Sequence, residues 1–356
     1  MKQLEDFGWS DEFKQKWQDL VDSTLSPARV VADFGTSLKI VLPQESTAEL
    51  SGKLAHYTAP EFMPKVGDWV AVQLRDNSPA VIEAIVPRRS EIARKAAGDR
   101  TVKQVLAANI DIAFVLLALD NDFSVERLRR FLYQLSINAI SPIIVLNKAD
   151  KTNDIESYVS QLRVFDLPII ISTATTGEGV DEIRQRIVRG KTAILLGSSG
   201  VGKSTLTNRL LGHDAQATQA VRVSDSTGKH TTVHRELFTL PGGGMLIDTP
   251  GIRELQLWGT IDELDDNFDD VMRLVAQCRY RSCQHGNEEG CAVRVALQNG
   301  ELSAGHYASY LKMKAELISL KEKNIVKLKK TNSKSRSNTA KRSRDMLRDA
   351  KEELNY

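Results

Sequence analysis

Gly197-Ser198-Ser199-Gly200-Val201-Gly202-Lys203-Ser204 satisfies the pattern G-x-x-x-x-G-K-[ST], and Thr205 follows it. The apolar run Ala193 to Leu196 precedes the motif and the helix-compatible run Thr205 to Leu211 succeeds it. The stretch therefore reads as a buried strand, a glycine turn and a helix start. In that setting the glycines let backbone N–H groups turn inward around a β-phosphate, at a helix N-terminus whose dipole favours anions. Lys203 is placed for the β- and γ-phosphates and the Ser204 hydroxyl for Mg²⁺. A chance glycine turn is the plain alternative, and the flanking strand and helix argue against it.

Forty-four residues past Ser204, Asp248-Thr249-Pro250-Gly251 fits D-x-x-G directly after a second apolar run, Met245 to Ile247. Asp248 is expected to touch the Mg²⁺ shell, and the Gly251 N–H to sense the γ-phosphate. Between the two motifs lies Gly228-Lys229-His230-Thr231-Thr232, where Thr231 or Thr232 would complete the Mg²⁺ coordination. Ile252 stands where Ras-like GTPases carry a water-orienting glutamine, and an aliphatic side chain cannot orient water. His230 is a candidate for that role beside Lys203 and Asp248; a basic surface histidine is an equally open reading.

Asn147-Lys148-Ala149-Asp150 matches N-K-x-D after the apolar run Pro142 to Leu146. An Asp150 carboxylate can accept from guanine N1–H and N2–H₂, a pattern that adenine does not offer. Asn147 faces the O6/N7 side of the base in this reading, and the Lys148 stem covers the ring. A helix start at Asp150 is the alternative. Thr173-Ala174-Thr175-Thr176-Gly177, after Leu167 to Ile171, resembles a loop that contacts guanine O6 through backbone N–H. Both base motifs precede the phosphate loop, whereas in Ras-like proteins they follow it. The order is thus circularly permuted, as if old termini were joined and new ones opened on the surface.

Around these motifs, apolar runs alternate with helical patterns from about Val105, including a helix after Ser124. Such alternation indicates an α/β domain with a largely parallel sheet. Upstream, Arg29–Phe34, Ser37–Leu42, Val66–Val72 and Ala80–Val86 read as short strands of a small barrel, OB-type or SH3-like. The first twenty residues form a helical lead-in in this reading, and Arg88 to Lys103 a linker. Downstream, Cys278, Cys283 and Cys291 fall with His285 within fourteen residues, spaced C-x4-C-x-H-x5-C. Four protein ligands of this kind suit one structural Zn²⁺ per chain. Three free thiols near a solvent histidine are the alternative. Arg273, Arg279, Arg281 and Arg294 flank the cluster, available to phosphates.

The chain has 356 residues, is 41% hydrophobic and 26% charged, and carries a net charge of +2. That total hides an asymmetry. Lys312 to Lys351 hold fourteen Lys and Arg against four Asp and Glu, a net of +10 that leaves −8 elsewhere. Such a block suits a polyanionic partner; a solvated, partly helical tail is the alternative. No apolar stretch is long enough to span a bilayer and no secretory pattern opens the chain, so a cytoplasmic protein without membrane contact is expected.

The permuted order, the G-K-H-T-T and D-T-P-G-I-R runs and the Cys₃His spacing together resemble the RsgA (YjeQ) family of ribosome small-subunit assembly GTPases, over nearly the whole chain. The resemblance implies an N-terminal all-β OB-type barrel, a central circularly permuted P-loop GTPase and a C-terminal, mostly α zinc-binding domain. The expected divisions are residues 1–103, 104–258 and 259–320, with a basic tail at 321–356. It implies GTP binding by Asn147, Lys148, Ala149, Asp150 and the run Gly197 to Thr205, to which the motif reading adds Thr173, Ala174 and Gly251. It also implies zinc on Cys278, Cys283, His285 and Cys291, and a family histidine at His230. The function implied is late maturation of the small (30S) ribosomal subunit by a monomer that contacts rRNA and hydrolyses GTP to GDP when the subunit stimulates it. A nucleotide-gated RNA clamp, in which hydrolysis is not the timing step, is the alternative reading. A signalling GTPase with protein partners leaves the basic tail unexplained.

Overall fold

The computed structural model describes residues 3–20, 24–35, 37–42, 44–95, 103–212, 235–248 and 257–323. These fall into two compact units, one ending at Gly259 and one beginning at Thr260.

The first unit opens with the helical lead-in expected from the sequence, a short 3-10 turn Leu4–Phe7 and helix α1 (Asp11–Leu20). Five strands then form a closed barrel: β1 (Ser26–Asp33), β2 (Leu38–Val41), β3 (Glu45–Leu50), β4 (Trp69–Gln73) and β5 (Ala80–Ile85). Helix α2 (Gly52–Tyr57) lies between β3 and β4. The strands are ordered β1-β2-β3-β5-β4, and β4 pairs back on β1, which decides for the OB-type barrel over the SH3-like one. Closure removes free edges, and Ala28, Val30, Ile40, Val70, Val72 and Ile82 fill the interior. Strand β3 was not anticipated. It buries only Ala48, so the alternation that marks a strand is faint there.

Within the expected linker, Arg88 to Lys103, lies β6 (Glu91–Lys95), which pairs antiparallel with β7 (Lys103–Ala108), Ile92 opposite Ala107. Polar texture hid β6, in which Ile92 and Ala93 are buried among charged residues. The α/β part follows with β8 (Ile112–Ala118), α3 (Val125–Ser136), β9 (Ser141–Asn147), α4 (Ile155–Leu162), β10 (Ile169–Ile171) and α5 (Val180–Arg186). It continues through β11 (Thr192–Leu196), α6 (Lys203–Leu211), β12 (Arg235–Thr239) and β13 (Met245–Asp248). Strands β10, β9, β8, β11 and β13 lie parallel in that order, and β12 runs antiparallel at the end. Alternate residues of β8 serve opposite faces. Val115 and Leu117 meet Leu128, Phe131 and Leu135 of α3, whereas Phe114 and Leu116 share a core with Ile183 of α5 and Leu206 of α6. A strand covered on both sides must be apolar throughout, which is why β8 reads as an unbroken run.

Barrel and α/β sheet are continuous, because Ala32 and Asp33 of β1 pair with Glu236 and Arg235 of β12. Arg29, only 1% exposed, fixes the junction. Its Nε donates to Gly67 O at 3.3 Å, and Nη2 to Asn109 O at 3.2 Å and Thr192 Oγ1 at 2.9 Å. Nη1 reaches Phe7 O and, at 3.7 Å, Met245 Sδ. The guanidinium lies 5.5 Å from the Trp69 ring, which Trp9 and Phe13 also pack against.

The second unit contains α7 (Ile261–Asn267), α8 (Asp269–Ala276), α9 (Ala292–Asn299) and a helix over residues 304–323. Thr260 and Glu263 form a reciprocal capping box at the start of α7. Phe268 stacks on His306 and packs at a tilt against Tyr310, and Tyr310 donates to Asp265 at 2.8 Å.

Arg29→Met should remove about 3 kcal/mol of stability, because it takes away the buried donors that Phe7 O and Asn109 O use. Arg29→Lys should recover less than half, since one ammonium cannot reproduce the guanidinium fork. Urea unfolding followed by tryptophan fluorescence checks both, and a Met variant as stable as the parent would make Arg29 replaceable packing.

Candidate nucleotide site and metal cluster

The phosphate loop joins β11 to α6 at the centre of the sheet. Gly197, Gly200 and Gly202 have φ of 148°, 79° and 102°. A Cβ on Gly197 would stand 2.7 Å from Leu116 O, and one on Gly202 2.2 Å from Asn147 Nδ2. Conformation and close approach both demand glycine at these two positions. Val201 is buried beneath the loop, while Ser199 and Gly200 are exposed on its outer side. Lys203 Nζ lies within the curl, donating to Gly197 O at 2.7 Å and Ser198 O at 2.6 Å. Ser204 and Thr205 occupy the first turn of α6, half-buried.

The base motifs sit beside this loop. Asn147 ends β9 almost fully buried; its Nδ2 donates to Val201 O at 2.7 Å and its Oδ1 accepts from Ala174 N at 3.1 Å. One amide thus clips the phosphate loop to the Thr173–Ala174 loop, a use the sequence did not suggest. Lys148 adopts a left-handed conformation with φ of 62°, and its ammonium pairs with Asp120 at 2.7 Å. Ala149 is buried and its N–H donates to Ser172 O at 3.2 Å, which leaves Asp150 exposed on the adjoining 3-10 turn. Thr173 N donates to Glu178 O at 3.0 Å and Gly177 N to Thr173 O at 2.9 Å, closing the second base loop. Arg209 of α6 donates to Ala174 O at 3.2 Å and also reaches Thr175 O. Nothing in the pattern of residues marked Arg209. Asp120 and Asp122, directly after the apolar run of β8, were also passed over, although acids at that position are a visible signal.

Asp248 ends β13, which pairs with the phosphate-loop strand through Ile247 and Ile194. Phosphate loop, both base loops and Asp248 are thus carried on the C-terminal ends of parallel strands, where ligands of open α/β sheets bind. His230, Thr231, Thr232 and Gly251, with Ile252, lie outside the described residues.

In the second unit, one ligand atom each from Cys278, Cys283, His285 and Cys291 gathers within 4.8 Å of the others. His285 Nδ1 is 3.5 Å from Cys278 Sγ and 3.7 Å from Cys291 Sγ, so Nδ1 is the nitrogen that faces the thiols. Tetrahedral zinc with bonds of about 2.0–2.3 Å requires ligand separations of about 3.5–3.8 Å. The donor set fits such an ion, the two His285–sulfur distances have that length, and all three thiols are free of disulfides. His285 is left-handed with φ of 60°, which turns the imidazole back toward the sulfurs. Cys291 is buried and caps α9, its Sγ accepting from Arg294 N at 3.4 Å. No described helix is long and apolar enough to cross a membrane.

The RsgA GTPase family model matches residues 85–258. A small ribosomal subunit biogenesis GTPase RsgA from Opitutus terrae is 41% identical, over 88% of this chain and 89% of its own length. The same-named protein of Leptospira interrogans is 38% identical over 88% of each. Among solved structures, YjeQ from Thermotoga maritima shares 25% identity at a TM-score of 0.61, covering 83% of this chain and 99% of that one. YloQ, described as a circularly permuted GTPase, has the same fold at a TM-score of 0.59 and 22% identity, covering 83% and 96%. With its base motifs ahead of its phosphate loop on one parallel sheet, this chain belongs to the RsgA GTPase family.

Proposed function

We propose that the chain is a cytoplasmic, monomeric GTP phosphohydrolase that acts on the small ribosomal subunit late in its maturation, touching rRNA and leaving when GTP becomes GDP and phosphate. The observation that carries this reading is the joining of base and phosphate loops by Asn147 on a permuted sheet. The names of the relatives supply the ribosomal subunit.

In this reading Lys203 and the backbone N–H groups from Gly197 to Thr205 hold the β- and γ-phosphates, with Gly251 reporting on the γ-phosphate. Asp150 accepts from guanine N1–H and N2–H₂, while Lys148, Thr173 and Ala174 shape the base pocket. Ser204, Asp248 and either Thr231 or Thr232 would hold Mg²⁺, which would supply neutralisation of the phosphate charge. Catalysis is then mostly positioning in a preorganised field. His230 orients the attacking water, a role that Ile252 cannot fill. Zinc on Cys278, Cys283, His285 and Cys291 is structural, since four protein ligands leave no open position.

Turnover should therefore be slow for the protein alone and rise strongly with small ribosomal subunits, and Lys203→Ala should abolish it. Phosphate release measured with and without subunits checks this. Tight GTP binding without stimulation would favour the RNA clamp, whose release does not wait for hydrolysis. Asp150→Asn should weaken GDP by about a hundredfold, because the guanine N1–H and N2–H₂ donors lose their matched acceptor. The same change should improve xanthosine diphosphate, whose O2 can accept from the new amide; competition binding separates the two. Cys283→Ser should reduce bound zinc below one per chain, read by elemental analysis, and lower the melting temperature of the second unit.

A further inference from the structure

The turn after β8 touches both halves of the nucleotide site and belongs to neither motif. Asp120 Oδ2 pairs with Lys148 Nζ of the base motif at 2.7 Å. Two residues on, the Asp122 carboxylate accepts from the Ser198 hydroxyl of the phosphate loop. The two acids are themselves tied, since Asp122 N donates to Asp120 Oδ1 at 2.9 Å. Arg127, in the first turn of α3, braces the turn from the far side. Its Nη1 reaches Asp122 Oδ2 at 2.8 Å and Asp122 O at 3.0 Å, and its Nη2 reaches Oδ1 at 3.0 Å. Ser124 Oγ fixes that end of α3 by accepting from Arg127 N at 3.2 Å.

A carboxylate beside a loop built for phosphate is electrostatically costly unless it is neutralised and serves a purpose. Arg127 neutralises it: first Arg127 and then Ser198 hold the Asp122 carboxyl below the usual carboxylate range. Lys148 does the same for Asp120. Each acid grips a different loop, and one hydrogen bond keeps the acids at a fixed separation.

We infer that the Asp120–Asp122 turn is a positioning element for guanine-nucleotide binding. Asp122 holds the phosphate loop through Ser198, Asp120 holds Lys148, and the spacing of the turn sets the diphosphate grip in register with the base grip. The inference rests on the nucleotide reading given above. Because Asp122 acts through Ser198, losing either partner has the same consequence, and losing both adds little. Asparagine at 122 keeps an acceptor for Ser198, so it preserves the position of the loop while removing the charge.

The test is equilibrium binding of fluorescent GDP to the full chain, with the parent protein and Lys203→Ala as references. Asp122→Ala and Ser198→Ala should each weaken GDP by about tenfold, the loss of one charge-assisted hydrogen bond. The double variant should also lie near tenfold rather than a hundredfold, and Asp122→Asn should stay within about threefold of the parent. Additive losses, an inert Ser198→Ala, or Asp122→Asn as weak as Asp122→Ala would overturn the inference. Failure of the parent itself to bind GDP would instead sink the nucleotide reading. A merely structural role would lower the melting temperature without coupling the two positions, which the double variant separates.

Discussion

Arg29 leaves the barrel strand β1 and spends all five N–H donors on the junction with the α/β sheet. A buried guanidinium is held down to about 10 by desolvation, still charged at neutral pH, so its surroundings must repay the lost hydration. They do so mostly with dipoles: carbonyls of Phe7, Gly67 and Asn109, and the hydroxyl of Thr192. Asp111 and Asp68 add favourable charge at longer range. Asp111 is itself anchored by Arg89 and Lys191, and Asp68 by a bidentate Arg88. The geometry of the junction is therefore set by directional bonds to one side chain, with apolar packing of Trp9, Phe13 and Trp69 filling the remainder.

The nucleotide site inherits that rigidity. β11 begins at Thr192, a partner of Arg29, and ends at the phosphate loop. β13 begins at Met245, another partner, and ends at Asp248. Two strands that carry site residues at their C-terminal ends are thus pinned to the barrel at their N-terminal ends. Permutation of the chain order leaves this arrangement untouched, because the sheet fixes neighbours by hydrogen bonding and not by sequence order.

The parts legible in the sequence were those with stringent local demands. A phosphate loop needs glycine where φ is positive and backbones approach, and Gly197 and Gly202 meet that demand at contact distances. Cys278, Cys283, His285 and Cys291 were legible as a group because their close spacing brings one ligand atom from each within 4.8 Å of the others. Strand β8 was legible because burial on both faces forces an apolar run. The missed elements are those whose side chains carry little of this information. In β3 only Ala48 is buried, and in β12 only Leu237. In β6 the buried Ile92 and Ala93 stand among charged residues. Asn147 was recognised but assigned to the base alone, because its second duty as a clip depends on loops 27 and 54 residues away. Asp120, Asp122 and Arg209 act through contacts 28, 76 and 35 residues away in sequence, and only the two acids, set at the end of an apolar strand, leave a mark in it.

The partners of Arg29 are also spread along the chain as it is made. Phe7 and Gly67 lie 22 and 38 residues from it, Asn109 lies 80, Thr192 163 and Met245 216. During synthesis the barrel strands emerge first, and only the nearer carbonyls can meet the guanidinium. Two of its five contacts, Thr192 and Met245, form only once β11 and β13 have been translated. A chain ending before β11 would hold the Phe7, Gly67 and Asn109 acceptors of the guanidinium but lack the Thr192 hydroxyl and the Met245 sulfur.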